Sequence, residues 1–122
     1  MKTLTKLRKF IDSDVARNWI NFPDYKLDIY IRHTRRIISA HSSQMIKTLD
    51  LANINVDEKY QGQGRFTAWL NIAEQVADDA DLIVYVENVL NPELYGFLEK
   101  RGYQQSIPGD KTFGSLYRSP PI

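Results

Sequence analysis

Apolar and polar positions along the chain fall into blocks of two different periods. Residues 4–20 place Leu4, Leu7, Ile11, Val15 and Trp19 three and four apart. That spacing predicts a helix, or two short ones if Asp12-Ser13-Asp14 caps a second start. Asn21-Phe22-Pro23-Asp24 ends the block. Residues 27–38 and 45–56 are instead loosely alternating and rich in β-branched and aromatic types. Two matched runs joined by the polar stretch Ser39 to Gln44 predict an antiparallel hairpin. The helical period returns at Phe66, Trp69, Leu70, Ala73, Val76 and Ala77, and lasts to about Asp79. Leu82 to Val86 is a short continuous apolar run, the mark of a buried parallel strand. Strand, helix and buried strand together predict a right-handed βαβ crossover.

The last third has well-formed helix punctuation. Asn91 stands as an N-cap, Pro92 occupies the first helical position, and Glu93 lies in the first turn. Leu94, Phe97 and Leu98 form the apolar face, and Gly102 closes the helix. Tyr103 starts a short strand, Pro108-Gly109-Asp110 is a turn, and Thr112 to Tyr117 is a final strand. The expected class is α+β: a mostly antiparallel sheet containing one parallel pair, flanked by about three helices.

Length and composition narrow the chemistry. A chain of 122 residues is expected to form a single domain over residues 1–122. With 43% hydrophobic and 25% charged residues, the composition is that of an ordinary globular protein. A net charge of +1 gives no general drive toward nucleic acid or anionic membranes, and neither is expected as a partner. The absence of cysteine excludes disulfides, a thiolate nucleophile and a cysteine-based zinc site. His33 and His41 are too few for a histidine-rich metal site, so no metal is expected. No apolar run approaches the roughly 20 residues a membrane-spanning helix needs. No secretory leader is evident, and a cytoplasmic location is expected.

One segment carries candidate chemistry. Gln61-Gly62-Gln63-Gly64-Arg65-Phe66-Thr67 is a glycine-rich loop that opens a helix directly after a strand. Such a turn aims unpaired backbone N–H groups at one spot, where the helix dipole adds about half an elementary charge. That combination favours phosphate. The loop lacks the Lys-Ser/Thr of a P-loop and the third glycine of a dinucleotide turn. Taken alone, a Gly-x-Gly here is also a common tight connection.

The loop and its context resemble the GNAT superfamily of acyl-CoA-dependent N-acyltransferases. Gln61 and Gly64 match the first and fourth places of that family's Gln/Arg-x-x-Gly-x-Gly/Ala loop, and Thr67 stands where Ser or Thr often follows. Phe66 departs at the sixth place, where a small residue is usual. The helix opened by Asn91 and closed in Gly102-Tyr103 matches the second signature in spacing. The resemblance covers about residues 27–118. The family's usual first strand has no counterpart in this reading, which makes the chain a compact version.

The resemblance implies acetyl-CoA as cosubstrate. Its pyrophosphate would lie on the backbone of Gly62, Gln63, Gly64, Arg65 and Phe66 and on the Thr67 hydroxyl. Its pantetheine arm would lie between splayed strands near Ile54, Val56 and Asn91. Phe66 is expected to serve mainly as the first core residue of its helix. The implied reaction is direct transfer of an acetyl group to an amine of a small molecule or protein.

Candidates for proton handling are Asp50 and Glu87 as base and Tyr95 as acid. Leu98 occupies the place where the family often has its acidic Tyr. The alternative is therefore a non-catalytic domain of the same fold that binds CoA or a protein partner. Arg32-His33-Thr34-Arg35-Arg36 is the one dense basic patch. It reads as an edge-strand charge cluster, or as a docking surface for an acidic substrate or nucleic acid. Whether the last strand supports a homodimer is left open.

Overall fold

The computed structural model describes residues 2–37, 44–56, 64–106 and 114–118. The elements run α1 (Thr3–Asp12), β1 (Arg17–Phe22), a 3-10 turn (Pro23–Tyr25), β2 (Leu27–Arg36) and β3 (Ile46–Val56). Then come α2 (Arg65–Asp79), β4 (Ile83–Val89), α3 (Pro92–Lys100), β5 (Tyr103–Gln105) and β6 (Gly114–Arg118). The six strands form one sheet in the order β1-β2-β3-β4-β6-β5. Among the described residues only β3 and β4 pair in parallel, so the mixed sheet expected from the sequence is present.

The start of the chain differs from the sequence reading. The helix stops at Asp12, and residues 17–22 are a strand paired antiparallel with β2, not a helical continuation. Ser13 is a stop rather than part of a new start. Its Oγ donates to the carbonyl of Phe10 at 2.7 Å and accepts from the N–H of Val15 at 3.2 Å. Val15 and Trp19 continue the helical spacing by coincidence and are both about half exposed. The inward residues of β1 are Ile20 and Phe22, two apart as a strand requires.

One core holds the elements together. Leu7 and Phe10 of α1, Trp69, Leu70, Ala73 and Val76 of α2, and Leu98 of α3 join the inward strand residues in one cluster. Those strand residues include Leu27, Ile29 and Ile31 of β2, Leu49 and Leu51 of β3, Val84 and Val86 of β4 and Leu116 of β6. All three helices therefore cover the same face of the sheet. Burial of a large aliphatic or aromatic side chain contributes roughly 1.5–3 kcal/mol, so this one-sided cluster dominates stability. The other face carries the alternate residues, among them Tyr30, Arg32, Arg36, Asp50, Tyr85 and Glu87.

A polar anchor fastens α2 to the far end of the sheet. Glu74, only 7% exposed, accepts from Arg101 Nη2 at 2.7 Å, Arg101 Nε at 3.0 Å and the Tyr103 hydroxyl at 2.8 Å. Arg118 approaches Glu74 to 3.5 Å and donates to Asp78 at 2.7 Å. Burial pushes the Glu74 carboxyl up, but bonds from Arg101 and Tyr103 and the Arg101 and Arg118 charges hold it below its ordinary value. Burial, followed by the Glu74 charge and hydrogen bond, pushes the Tyr103 phenol above its usual range.

Candidate active site

The site grows from a defect in strand pairing. In the β2–β3 ladder, Tyr30 faces Asn53 and Ile31 faces Leu51. Ala52 is thus an extra residue on β3, a β-bulge that bends the strand and strengthens its twist. The parallel β3–β4 pairing runs from Thr48 opposite Ile83 to Leu51 opposite Val86, and stops there. The β4 strand has its own irregularity immediately beyond. Val86 faces Leu116 but Val89 faces Gly114, and Asn88 takes a left-handed φ of 52° with its N–H donated to Ser115 Oγ. Both strands depart from regular geometry just where they separate.

The separation leaves a cleft of about 340 Å³. It is lined by Leu51 to Ile54 of β3, Val86 to Val89 of β4, then Leu90, Asn91 and Leu94. That volume is in the range of small-molecule sites. The V between strands implied by the family resemblance is present, and Ile54 and Asn91 line it. The backbone of Val56 pairs with Leu27 on the outer side of β3.

Asn91 has a second engagement. Its Oδ1 accepts from the N–H groups of Glu93 and Leu94 at 2.9 and 3.3 Å, so it caps α3 while lining the cleft. With Pro92 at the first position, α3 begins where the sequence placed it. Leu94 turns toward the cleft, whereas Tyr95 is 2% exposed and belongs to the core cluster, as does Leu98.

The start of α2 lies at the same end of the sheet. Because α2 connects parallel strands, its N-terminus stands at their carboxyl ends, where ligands of α/β crossovers bind. Gly64 is the N-cap with φ 72°, and, being glycine, it offers no capping side chain of its own. Phe66 packs against the core, stacked on Trp69 at 6.1 Å and edge-on to Phe97 of α3 at 6.4 Å. The expected core role of Phe66 is therefore realised, and its contact with α3 brings the helix start beside the cleft wall. Arg65 and Thr67 share that first turn. Gln61, Gly62 and Gln63 lie outside the described residues, as do His41 and the Pro108-Gly109-Asp110 turn.

The two carboxylate candidates are placed differently. Glu87 lines the cleft and is partly exposed. Asp50 does not line it: the side chain is fully buried on the sheet face opposite the helices. One Asp50 oxygen accepts from Thr48 Oγ1 at 2.6 Å, the other from Arg36 Nη2 at 2.5 Å, with Arg32 Nε 3.5 Å from the latter oxygen. Arg32 Nη2 donates to Glu87 Oε2. The Arg36 guanidinium also lies over the Tyr85 ring, 4.3 Å from its centre.

This arrangement corrects the edge-strand reading of the basic patch. The β2 strand is internal, between β1 and β3, and Arg32 and Arg36 are ion-paired rather than merely solvated. Their shared face was legible from the i, i+4 spacing on a strand. Nothing in the sequence marked Arg32 as the link between Asp50 and Glu87, because that link depends on strand register. Among the described residues, no cluster of His, Asp and Glu is suited to hold a metal, and no helix is long and apolar enough to cross a membrane.

No protein-family model matches the sequence, and no curated protein matches it. Solved structures do match. A mutant of the AtaT toxin, bound to the C-terminus of the antitoxin AtaR and acetyl-CoA, aligns over 75% of this chain with a TM-score of 0.57 and 19% identity. AtaT complexed with acetyl-methionyl-tRNAfMet aligns over 75% of this chain with a TM-score of 0.59 and 16% identity. A mutant of KacT gives a TM-score of 0.58 and 17% identity over the same 75% of this chain. The chain spans 56% of the first of these proteins and 60% of the other two. At these identities the likeness is one of fold, and the fold is the GNAT-like one expected from the two motifs.

Proposed function

We propose that this protein is an acetyl-CoA-dependent N-acetyltransferase whose cosubstrate lies in the cleft between β3 and β4. The observation that supports this reading most strongly is the cleft itself, opened by two strand irregularities and placed beside the glycine-initiated start of α2. The acetyl-CoA bound to the AtaT neighbour supports the same ligand class. Residues present here fit such a group. The amides of Gly64 to Thr67 suit a pyrophosphate, and the parted backbone edges of β3 and β4 suit an amide-bearing arm. Acetyl-CoA supplies the activated acyl group. The acceptor nitrogen forms the new C–N bond as the C–S bond breaks, and the nitrogen must first lose a proton.

Glu87 is the carboxylate positioned at the cleft to take that proton. Asp50, with both oxygens engaged, stands one link behind it. Tyr95 is enclosed in the core, so an acid for the departing thiolate is assigned to solvent. A thiolate is a tolerable leaving group and does not require one.

The acceptor is proposed to be a primary amine, with an aminoacyl-tRNA among the classes to test. AtaT is complexed with an acetylated methionyl-tRNA, so these neighbours lend no support to the expectation against a nucleic-acid partner. Transfer of radiolabelled acetyl from acetyl-CoA to methionyl-tRNA, and to a panel of small amines and peptides, tests the reading. Labelled product that disappears in Glu87→Gln is expected, and no transfer to any acceptor would sink it.

A second reading is favoured by the enclosure of Leu98 and Tyr95 in the core. It is a non-catalytic domain that binds CoA or a protein partner. It predicts acetyl-CoA binding without turnover, and labelled product from any acceptor removes it.

A further inference from the structure

Four charged side chains on the helix-free face of the sheet form one chain of contacts that ends at the cleft. Register creates it. Arg32 of β2 stands opposite Asp50 of β3, and Asp50 stands opposite Tyr85 of β4, two residues before Glu87 on the same face. Arg32 is thus placed to span three strands, with Nε toward Asp50 and Nη2 on Glu87. Asp50 is fixed from behind by Arg36 and Thr48. Glu87 is the first β4 residue beyond the last parallel pair, at the root of the V.

We propose that Arg32, ion-paired with Asp50 at its other end, is a positioning residue that holds the Glu87 carboxylate at the cleft. The proposal rests on the acetyltransferase reading of the cleft. A lone Glu on a strand beside an open cleft has several rotamers. The Arg32 guanidinium narrows that choice: Nη2 donates to Glu87, while Nε lies 3.5 Å from the buried Asp50 carboxylate as an ion pair without a hydrogen bond. Lysine would keep the charge but not the two-ended span. In the transfer step the acceptor ammonium gives one proton to Glu87, which passes it to water, and the free amine attacks the acyl carbon as the C–S bond breaks. The acylated nitrogen sheds its second proton to solvent and the departing thiolate takes one from solvent, so one proton is released overall.

The electrostatic consequence has opposite signs at the two ends. Among the described residues, the charged group paired with Glu87 is Arg32 of β2, with Asp50 of β3 and then Arg36 behind it; Tyr85 lies two residues earlier on β4, and Tyr117 of β6 stands opposite Tyr85. Removing the Arg32 cation raises the Glu87 pKa, since an opposite charge nearby favours the ionised form. Removing the Asp50 anion leaves Arg32 uncompensated and lowers it. The acid limb of the pH–rate profile therefore moves to higher pH in Arg32→Gln and to lower pH in Asp50→Asn. A residue that only stabilises the sheet moves neither.

The test uses purified full-length chain, acetyl-CoA and methionyl-tRNA, with n-butylamine as a second acceptor. Arg32→Lys is the variant most certain to fold, and circular dichroism verifies all three. A 10- to 100-fold fall in kcat with the KM for acetyl-CoA within twofold is expected for Arg32→Lys, along with the opposed shifts of the acid limb. The 13C titration of the Glu87 carboxyl gives a readout that needs no turnover, and it should follow the same two directions. Unchanged kcat in Arg32→Lys, or a Glu87 titration identical in wild type and Arg32→Gln, overturns the positioning role while leaving the acetyltransferase reading intact. No transfer by wild type to either acceptor removes the catalytic role, and the carboxyl titration then still decides whether Arg32 holds Glu87.

Discussion

Replacing Glu74 by Gln should destabilise the fold by about 2–3 kcal/mol at pH 7, with a loss that shrinks as the solution is acidified. The native carboxylate receives two bonds from Arg101 and one from Tyr103, and also faces Arg118. A hydrogen bond to a charged group contributes about 1.5–3 kcal/mol. Breaking a buried ion pair from one side costs about 3–5 kcal/mol. Gln keeps one carbonyl acceptor, and the Arg101 and Arg118 side chains are about a quarter exposed, so water recovers part of the loss. Both corrections bring the figure to the lower end. The sign with pH follows from the carboxyl being held below its ordinary value of 4.5. Its contribution is complete above about pH 4.5 and disappears as pH falls through the lower folded value. Urea unfolding of both proteins at pH 7 and at pH 3 measures this, with the m-value checking that the unfolded states are comparable. Equal stabilities at pH 7, or a difference that grows on acidification, would refute the role given to Glu74.

Other substitutions probe the elements that frame the cleft. Gly64→Ala should cost about 1–2 kcal/mol, because a φ of 72° strains any residue with a Cβ, although nothing lies within 4 Å of the added atom. Thermal melting measures that cost, and weaker acetyl-CoA binding should accompany it. Asn91→Ala removes a cap with two backbone bonds and should cost about 0.5–2 kcal/mol, whereas Asn91→Asp keeps the acceptor and most of the stability. A melting temperature unchanged by Asn91→Ala would contradict the cap. Tyr103→Phe deletes one bond to a charged carboxylate and should lose about 1.5 kcal/mol in urea unfolding.

Much of the frame was legible because local signals and tertiary packing agreed. The hairpin, the crossover, the Asn91 start and the Gly102-Tyr103 close all appear where periodicity and cap chemistry put them. The first strand was not legible. Val15 and Trp19 extend the helical spacing, and only pairing with β2 makes Trp19 an outward residue of a strand. Glu74 was also hidden. It interrupts an apolar stripe as a solvated residue would, and its partners Arg101, Tyr103 and Arg118 come from 27 and more positions away in sequence. The same holds for the cleft. A bulge at Ala52 is a matter of register between strands, which a single strand's pattern does not contain. Asp50 and Glu87 could be named from the sequence as carboxylates at strand positions. Their coupling through Arg32 needed the sheet.

The central claim is that the gap between β3 and β4 holds the arm of acetyl-CoA. Titration calorimetry of acetyl-CoA into wild type and Ala52→Trp tests it most directly, because Ala52 lines the gap and a tryptophan there occupies it. One-to-one binding by wild type and at least a 30-fold weaker affinity in a folded Ala52→Trp, about 2 kcal/mol, is predicted. Equal affinity in the two proteins, or no binding by wild type, would contradict the account.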